Sequence, residues 1–119
     1  MRSAIFFPGV TVEAFKVETE QLGQTLQVRL TGEFDLRVFD QVDQLLRDAQ
    51  TESEHDIVVD LRGQIFIDST GIRPLVSAAL RASELGARFR LIRGPDNVHR
   101  VFEPAGLEER FDFLDADRS

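Results

Sequence analysis

Asp56-Ile-Val-Val-Asp-Leu61 is the stretch on which the fold turns. Its apolar residues run on continuously instead of alternating, and three of them are β-branched. That is the signature of a strand covered on both faces, as the inner strands of parallel sheets are. Parallel neighbours need crossover connections, and helical patterns lie on both sides of the run. Upstream, Phe39, Val42, Leu45, Leu46 and Ala49 recur at three-and-four spacing, with Asp40, Asp43, Arg47 and Asp48 between them. This predicts an amphipathic helix from Val38 that the Thr51-to-Glu54 stretch ends. Downstream, Arg62-Gly-Gln-Ile-Phe-Ile-Asp68 reads as a loop rich in apolar residues, and a second helix is expected from Ser69. Ile72, Leu75, Val76, Ala79, Leu80 and Leu85 would form its buried stripe, and Gly86 would stop it. Pro74 falls in the first turns, where its missing N–H costs little.

Further out, Thr25-Leu-Gln-Val-Arg-Leu-Thr31 alternates strictly, with Leu26, Val28 and Leu30 on one side. Thr11-Val-Glu-Ala-Phe-Lys-Val-Glu-Thr19 alternates less perfectly and reads as an edge strand with one wet face. The turn Gln21-Leu-Gly-Gln24 would join the two as a hairpin. Gly32-Glu-Phe-Asp35 closes the second strand, and Asp35 can cap the helix that follows. Toward the C-terminus, Arg88-Phe-Arg-Leu-Ile-Arg93 alternates as a strand until Gly94-Pro95 breaks it. Asp96 or Asn97 would then cap a short helix with Val98, Val101 and Phe102 inward, ended by Pro104. Phe111-Asp-Phe-Leu114 supplies a last strand or a packed tail. The order β-β-α-β-α-β-α belongs to the α/β class, with a mixed sheet and right-handed crossovers. There is no internal repeat or linker, and 119 residues fit one domain spanning 1–119.

Composition narrows the function classes. Hydrophobic residues make up 42% and charged residues 29%, an ordinary globular balance. Aromatic packing falls entirely to 10 Phe, and the absence of Cys excludes disulfides, thiol chemistry and cysteine metal sites. Met1 to Val10 lacks the apolar length of a secretory leader, and no run approaches the roughly 20 apolar residues that cross a bilayer. A cytoplasmic protein with no direct membrane insertion is the expectation. The net charge of −7 is uneven, with acid concentrated from Glu13 to Asp60 and arginine in the second half. A solvated surface of mixed sign and a patch for a protein partner both fit this distribution. Nucleic acid is not an expected partner, because no basic stripe is interleaved with stacking aromatics.

Chemistry concentrates in Asp60-Leu-Arg-Gly-Gln-Ile-Phe-Ile-Asp-Ser-Thr-Gly71. The hydroxyls of Ser69 and Thr70 fall where a loop enters a helix, and the orphan backbone donors there create positive potential. A phosphate on Ser69 would meet those donors favourably and add about −1.5 to −2 charge to the surface. Taken alone, the tetrapeptide from Asp68 to Gly71 also reads as a helix start, with Asp68 and Ser69 as caps and Gly71 there for close packing. Enzyme signatures are missing: there is no Gly-x-Ser-x-Gly elbow and no Walker loop. His55 and His99 stand apart without metal-ligand spacing, His55 expected at a strand edge and His99 on a helix surface. Asp60 invites comparison with the phospho-accepting aspartate of receiver domains, but the only lysine is Lys16, in the first strand. No cofactor and no catalytic residue is expected.

In context, the segment resembles the signature of the STAS family, which includes bacterial anti-sigma factor antagonists and cytoplasmic domains of sulfate-type anion transporters. The resemblance runs from about residue 26 to 113. It rests on Leu30-Thr-Gly-Glu-Phe-Asp35, Ile57-Val-Val-Asp-Leu61, Ile67-Asp-Ser-Thr-Gly-Ile72, Val98-His-Arg-Val-Phe102 and Ala105-Gly-Leu107. It implies a mixed, mostly parallel sheet with an N-terminal hairpin and helices mainly on one face. In antagonist members the serine after the signature aspartate is phosphorylated by a partner that is both anti-sigma factor and serine kinase, a histidine-kinase-like ATPase. By position that serine is Ser69. The unmodified antagonist binds the kinase and frees the sigma factor, the phosphorylated form lets go, and a phosphatase would reset the cycle.

The resemblance also implies that Asp68 orients Ser69 or contacts the kinase and that Asp35 lies beside the switch surface. Thr70 would share that surface, Gly71 would permit close approach, and Arg73 would lie on the docking face. The sequence departs from the family pattern at Arg62, where a small polar residue is common, and at Arg73-Pro74, where small or apolar residues usually follow. A different role within the family is a subunit that does not switch, in a stress-sensing scaffold or as the accessory of a lipid or anion transporter.

Overall fold

The computed structural model describes residues 3–6, 15–34, 38–52, 56–67 and 71–114. Six strands form one sheet in sequence order: β1 (Ser3–Phe6), β2 (Phe15–Leu22), β3 (Thr25–Phe34), β4 (Asp56–Ile67), β5 (Phe89–Ile92) and β6 (Asp112–Leu114). The first three pair antiparallel and the last four pair parallel. Helix α1 (Phe39–Glu52) connects β3 to β4, and α2 (Arg73–Leu85) connects β4 to β5. Between β5 and β6 the chain makes α3 (Asp96–His99), two 3₁₀ turns and α4 (Leu107–Arg110). The mixed α/β fold with an N-terminal hairpin is therefore as the sequence predicts.

Alternation in the strands builds the core. Phe15, Val17, Val28, Leu30, Val59, Leu61 and Leu91 join Val42 and Leu46 of α1 and Leu75 and Ala78 of α2 in one cluster. Val58 and Ile92 are buried too but stand outside it, so the run Ile57–Leu61 is covered on both faces. The β2–β3 hairpin turns at Gly23, whose φ of 63° suits a two-residue hairpin loop. Helices α1 and α2 are tied side by side through buried Gln50. Its amide donates to the Ala78 carbonyl at 2.8 Å, and Arg81 Nε donates to Gln50 Oε1 at 2.9 Å.

Several elements differ from the sequence expectation. Ser3–Phe6 adds a strand outside β2, so β2 is an inner strand and not an edge; Val12 and Ala14 lie outside the described residues. Residues 62–67 are not a loop but the continuation of β4. Beyond Arg29 and Asp60 the register with β3 shifts twice, pairing Thr31 with Gly63, Gly32 with Gln64 and Glu33 with Phe66. Each shift sets an extra β4 residue against β3, a bulge that breaks the two-residue period by which strands are read. The second helix begins at Arg73, after Ile72 as the N-cap residue, and not at Ser69. Its C-cap is Gly86 with φ 73°, as expected. Asp96 begins α3 instead of capping it, since Pro95 is the N-cap residue.

The buried stripe of α2 also differs. Its buried residues are Pro74, Leu75, Ala78 and Ala82, whereas Leu80 and Leu85 are 57% and 54% exposed. At 100° per residue Leu80 lies roughly 140° round the helix from Leu75. The two alanines allow the helix to lie close on the core, and the larger leucines are turned away from it.

Beyond β5, the chain passes over β4 at Gly94. A Cβ there would stand 2.6 Å from the Leu61 carbonyl oxygen, a backbone atom that cannot step aside. Gly94→Ala is expected to lower stability by about 1–3 kcal/mol in urea unfolding, as overpacking of a filled site does.

Candidate functional site

The segment singled out by sequence lies at the carboxyl ends of β3 and β4. Phe34 and Ile67 are register partners at these ends, and both are buried. The next residues in the chain are Asp35 and Asp68. Asp35, Asp68, Ser69 and Thr70 all lie outside the described residues, as does His55. On the far side, the chain returns at Gly71 and Ile72, both buried, and Arg73 emerges exposed. The end of β4 and the start of α2 thus flank residues 68–70 along the chain, and the end of β3 lies beside that of β4.

The α2 entrance is electrostatically open. Ile72 provides no side-chain cap, Pro74 has no N–H, and the first turn carries no acid. Among the described residues no side chain caps these first-turn donors, and their partial positive charge favours an anion placed ahead of them.

What holds β4 in position to reach this site is a buried carboxylate. Asp60 is 1% exposed and pairs with Arg29 in register across β3–β4. Its Oδ1 accepts from the Arg62 backbone N–H at 2.9 Å and from Arg62 Nε at 3.0 Å. Oδ2 accepts from Arg62 Nη2 at 2.8 Å and lies 3.5 Å from Arg29 Nε. The first bulge begins just here, so the carboxylate satisfies a donor that the interrupted ladder leaves aside. Burial alone would raise the Asp60 pKa. The Arg62 side-chain and backbone hydrogen bonds, then the charges of Arg62 and Arg29, overcome it and hold the carboxyl below its ordinary value.

The family model described as "Mlab, STAS domain" matches residues 17–115. The chain belongs to the STAS domain family. An anti-sigma-B factor antagonist of Staphylococcus aureus (strain NCTC 8325 / PS 47) is 24% identical over 93 residues, covering 78% of this chain and 86% of that protein. In fold, the chain is similar to the anti-sigma factor antagonist SpoIIAA in its unphosphorylated form. That match has a TM-score of 0.73 and 24% identity over 87% of this chain and 88% of the other. The Bacillus cell fate determinant SpoIIAA in the phosphorylated form matches with a TM-score of 0.65 and 22% identity, covering 87% and 91%.

Within this STAS domain, sequence reasoning missed the Asp60 clamp as a site feature. The signal was present: residues i and i+2 of a strand share a face, which sets Arg62 beside Asp60. Arg62, a departure from the family pattern, is thereby explained as the partner of a buried acid. Buried Gln64, whose two amide atoms have no hydrogen-bond partner among the described residues, was hidden in the supposed loop.

His99 corrects an expectation: it is buried, not on a helix surface. Its ring meets Phe113 edge-on at 4.8 Å, and Nε2 bonds Glu108. With Arg93, Phe111 and Leu114 these residues line an open cleft at the carboxyl ends of β5 and β6. Arg93 is bound to Asp96 at 3.1 Å, so the charged groups around this cleft are already paired. Among the described residues, no group of three or more His, Cys, Asp or Glu could hold a metal ion.

Asp60→Asn is expected to cost about 1–3 kcal/mol at pH 7, the worth of hydrogen bonds to a charged group. A lowered native pKa gives stability that is complete above the unfolded value and lost as pH falls through the native one. The gap between parent and variant in urea unfolding should therefore close progressively below about pH 3.8.

Proposed function

We propose that this STAS domain is an anti-sigma factor antagonist, a cytoplasmic binding module without catalysis of its own, acting over its whole length as one unit. In the unmodified state it binds an anti-sigma factor that is also a serine kinase of the histidine-kinase-like ATPase type, which frees the sigma factor. Phosphorylation of Ser69 ends the interaction, and a phosphatase restores it. The observation that carries this reading is the frame around residues 68–70: the register-paired ends of β3 and β4 and an α2 entrance with neither side-chain cap nor acid. The antagonists that the chain resembles, one of them known in phosphorylated and unphosphorylated forms, support the same role.

The physical consequence of modification is local. A phosphoserine adds about −1.5 to −2 charge. Beside uncapped helix donors it costs the helix nothing, so the fold persists. A partner seated over the same loop would have to desolvate that charge or oppose it with its own acids, and its affinity falls. Asp35, Asp68, Thr70 and Arg73 are assigned to the docking surface around Ser69, and Gly71, expected there too, is buried behind it.

The test is phosphorylation by the purified kinase partner with ATP, the phosphate located by mass spectrometry. The parent should be modified at Ser69 and Ser69→Ala should not. Ser69→Asp should bind the kinase at least about tenfold more weakly, a loss of about 1.4 kcal/mol, with an unchanged thermal midpoint. Modification of Ser69→Ala at the parental rate refutes the site. Co-purification with a transporter ATPase and an unmodified Ser69 would instead identify the non-switching family role.

A further inference from the structure

Strand register sets two rows of side chains across the sheet from β2 to β6. One runs Glu18, Arg29, Asp60, Ile92, Leu114, and the other Glu20, Gln27, Val58, Arg90, Asp112. Register partners share a face, and none of these residues belongs to the core cluster. Helices α1, α2 and α3 contribute to that cluster, and Leu107 of α4 packs on it. Among the described residues, the α-helices thus lie on the opposite face of the sheet. Within the rows Val58 and Ile92 are buried between their neighbours, while the side chains of Glu18 and Arg29 are 45% and 47% exposed.

Charge is unevenly placed along the rows. Glu18 and Glu20 stand on β2, and Arg90 stands three strands away on β5. Arg90 is half-buried, and its Nε has no hydrogen-bond partner among the described residues. It makes no ion pair among them either, although Asp112 is its register neighbour. A guanidinium drawn partly out of water without a carboxylate costs stability. Three strand spacings, about 14 Å, separate β2 from β5, so Glu20 cannot answer Arg90 within one chain. Each row, however, matches its own reverse. In reversed order Arg90 falls opposite Glu20 and Val58 opposite Gln27 in one row, and Asp60 opposite Arg29 in the other.

We propose that this face receives a second copy of the chain, laid sheet on sheet about a twofold axis that runs parallel to the strands between β3 and β4. That axis performs the reversal: β2 of each copy lies on β5 of the other, and each Glu20 meets the partner's Arg90. An axis perpendicular to the strands would lay β2 on β2 and β5 on β5, acid against acid and arginine against arginine, and is rejected. The contact is isologous, so every pairing occurs twice, and nearly aligned strands are a common geometry of packed sheets. Six strands about 4.8 Å apart, with β2 and β3 of 8 and 10 residues, offer an area of the order of the roughly 800 Å² that one side of a stable interface takes. The carboxyl ends of β3 and β4 in both copies then point the same way. The inference is independent of the antagonist reading.

Sedimentation equilibrium of the full chain should show a mass that rises with concentration from the monomer toward twice that value. Salt should reverse the rise, because the screening length falls from about 10 Å at 0.1 M to about 3 Å at 1 M. Glu20→Arg and Arg90→Glu should each weaken association about tenfold or more, since each sets like charges against one another at both contacts. An equimolar mixture of these two variants should associate like the parent, because in the mixed pair both contacts join opposite charges. Arg90→Gln removes the charge without setting an acid beside Asp112; it should weaken association about threefold and replaces Arg90→Glu if that variant melts early. A parent that stays monomeric up to its solubility limit refutes the dimer. So do single variants that associate like the parent, or a mixture of the two folded variants that stays monomeric.

Discussion

Asp60 is the constraint from which the rest of the structure follows. A carboxylate in the interior of a sheet is costly unless its oxygens are satisfied, and here Arg62 and Arg29 satisfy both. The reward is positional. By taking the Arg62 N–H, the acid lets β4 bulge without an orphaned donor and still run on beside β3 to Ile67. Without that clamp, the strand would have reason to stop near Leu61, and the signature segment would hang from a long tether instead of a hydrogen-bonded ladder. The clamp thus links a fold-level feature to the place where function is assigned.

That place is built from ends. The ladder between β3 and β4 closes on the buried pair Phe34 and Ile67, and α2 opens a few residues later behind buried Ile72. Described elements thus lie on both sides of the three residues 68–70, and the buried residues at their ends, Phe34, Ile67 and Ile72, belong to the core cluster.

Much of this was legible in the residues. Ile57 to Leu61 announced a doubly covered strand, Leu26 to Leu30 a hairpin arm, and Phe39 to Ala49 an amphipathic helix, because each pattern is set by local geometry. Residues 62–67 were illegible for a physical reason: two bulges replace the two-residue period with a spacing that mimics a loop. The face of α2 was misjudged because size was taken as the guide to burial. Ala78 and Ala82 make the close contact, and Leu80 does not. His99 sits inside because Phe102, one turn on, and Glu108 and Phe113, which return to it after further turns of the chain, enclose it. Asp35 and Asp68 to Thr70 lie outside the described residues, so their roles stand on the family resemblance and on the frame around them.

The ring cluster at β6 is built from Phe102, Phe111 and Phe113, and the whole chain has neither tyrosine nor tryptophan. The domain is therefore optically dark where indole and phenol groups emit. When it meets a protein containing tryptophan, every change in ultraviolet emission belongs to that other protein. Complex formation can be followed without a dye, in a mixture where one component is silent by composition.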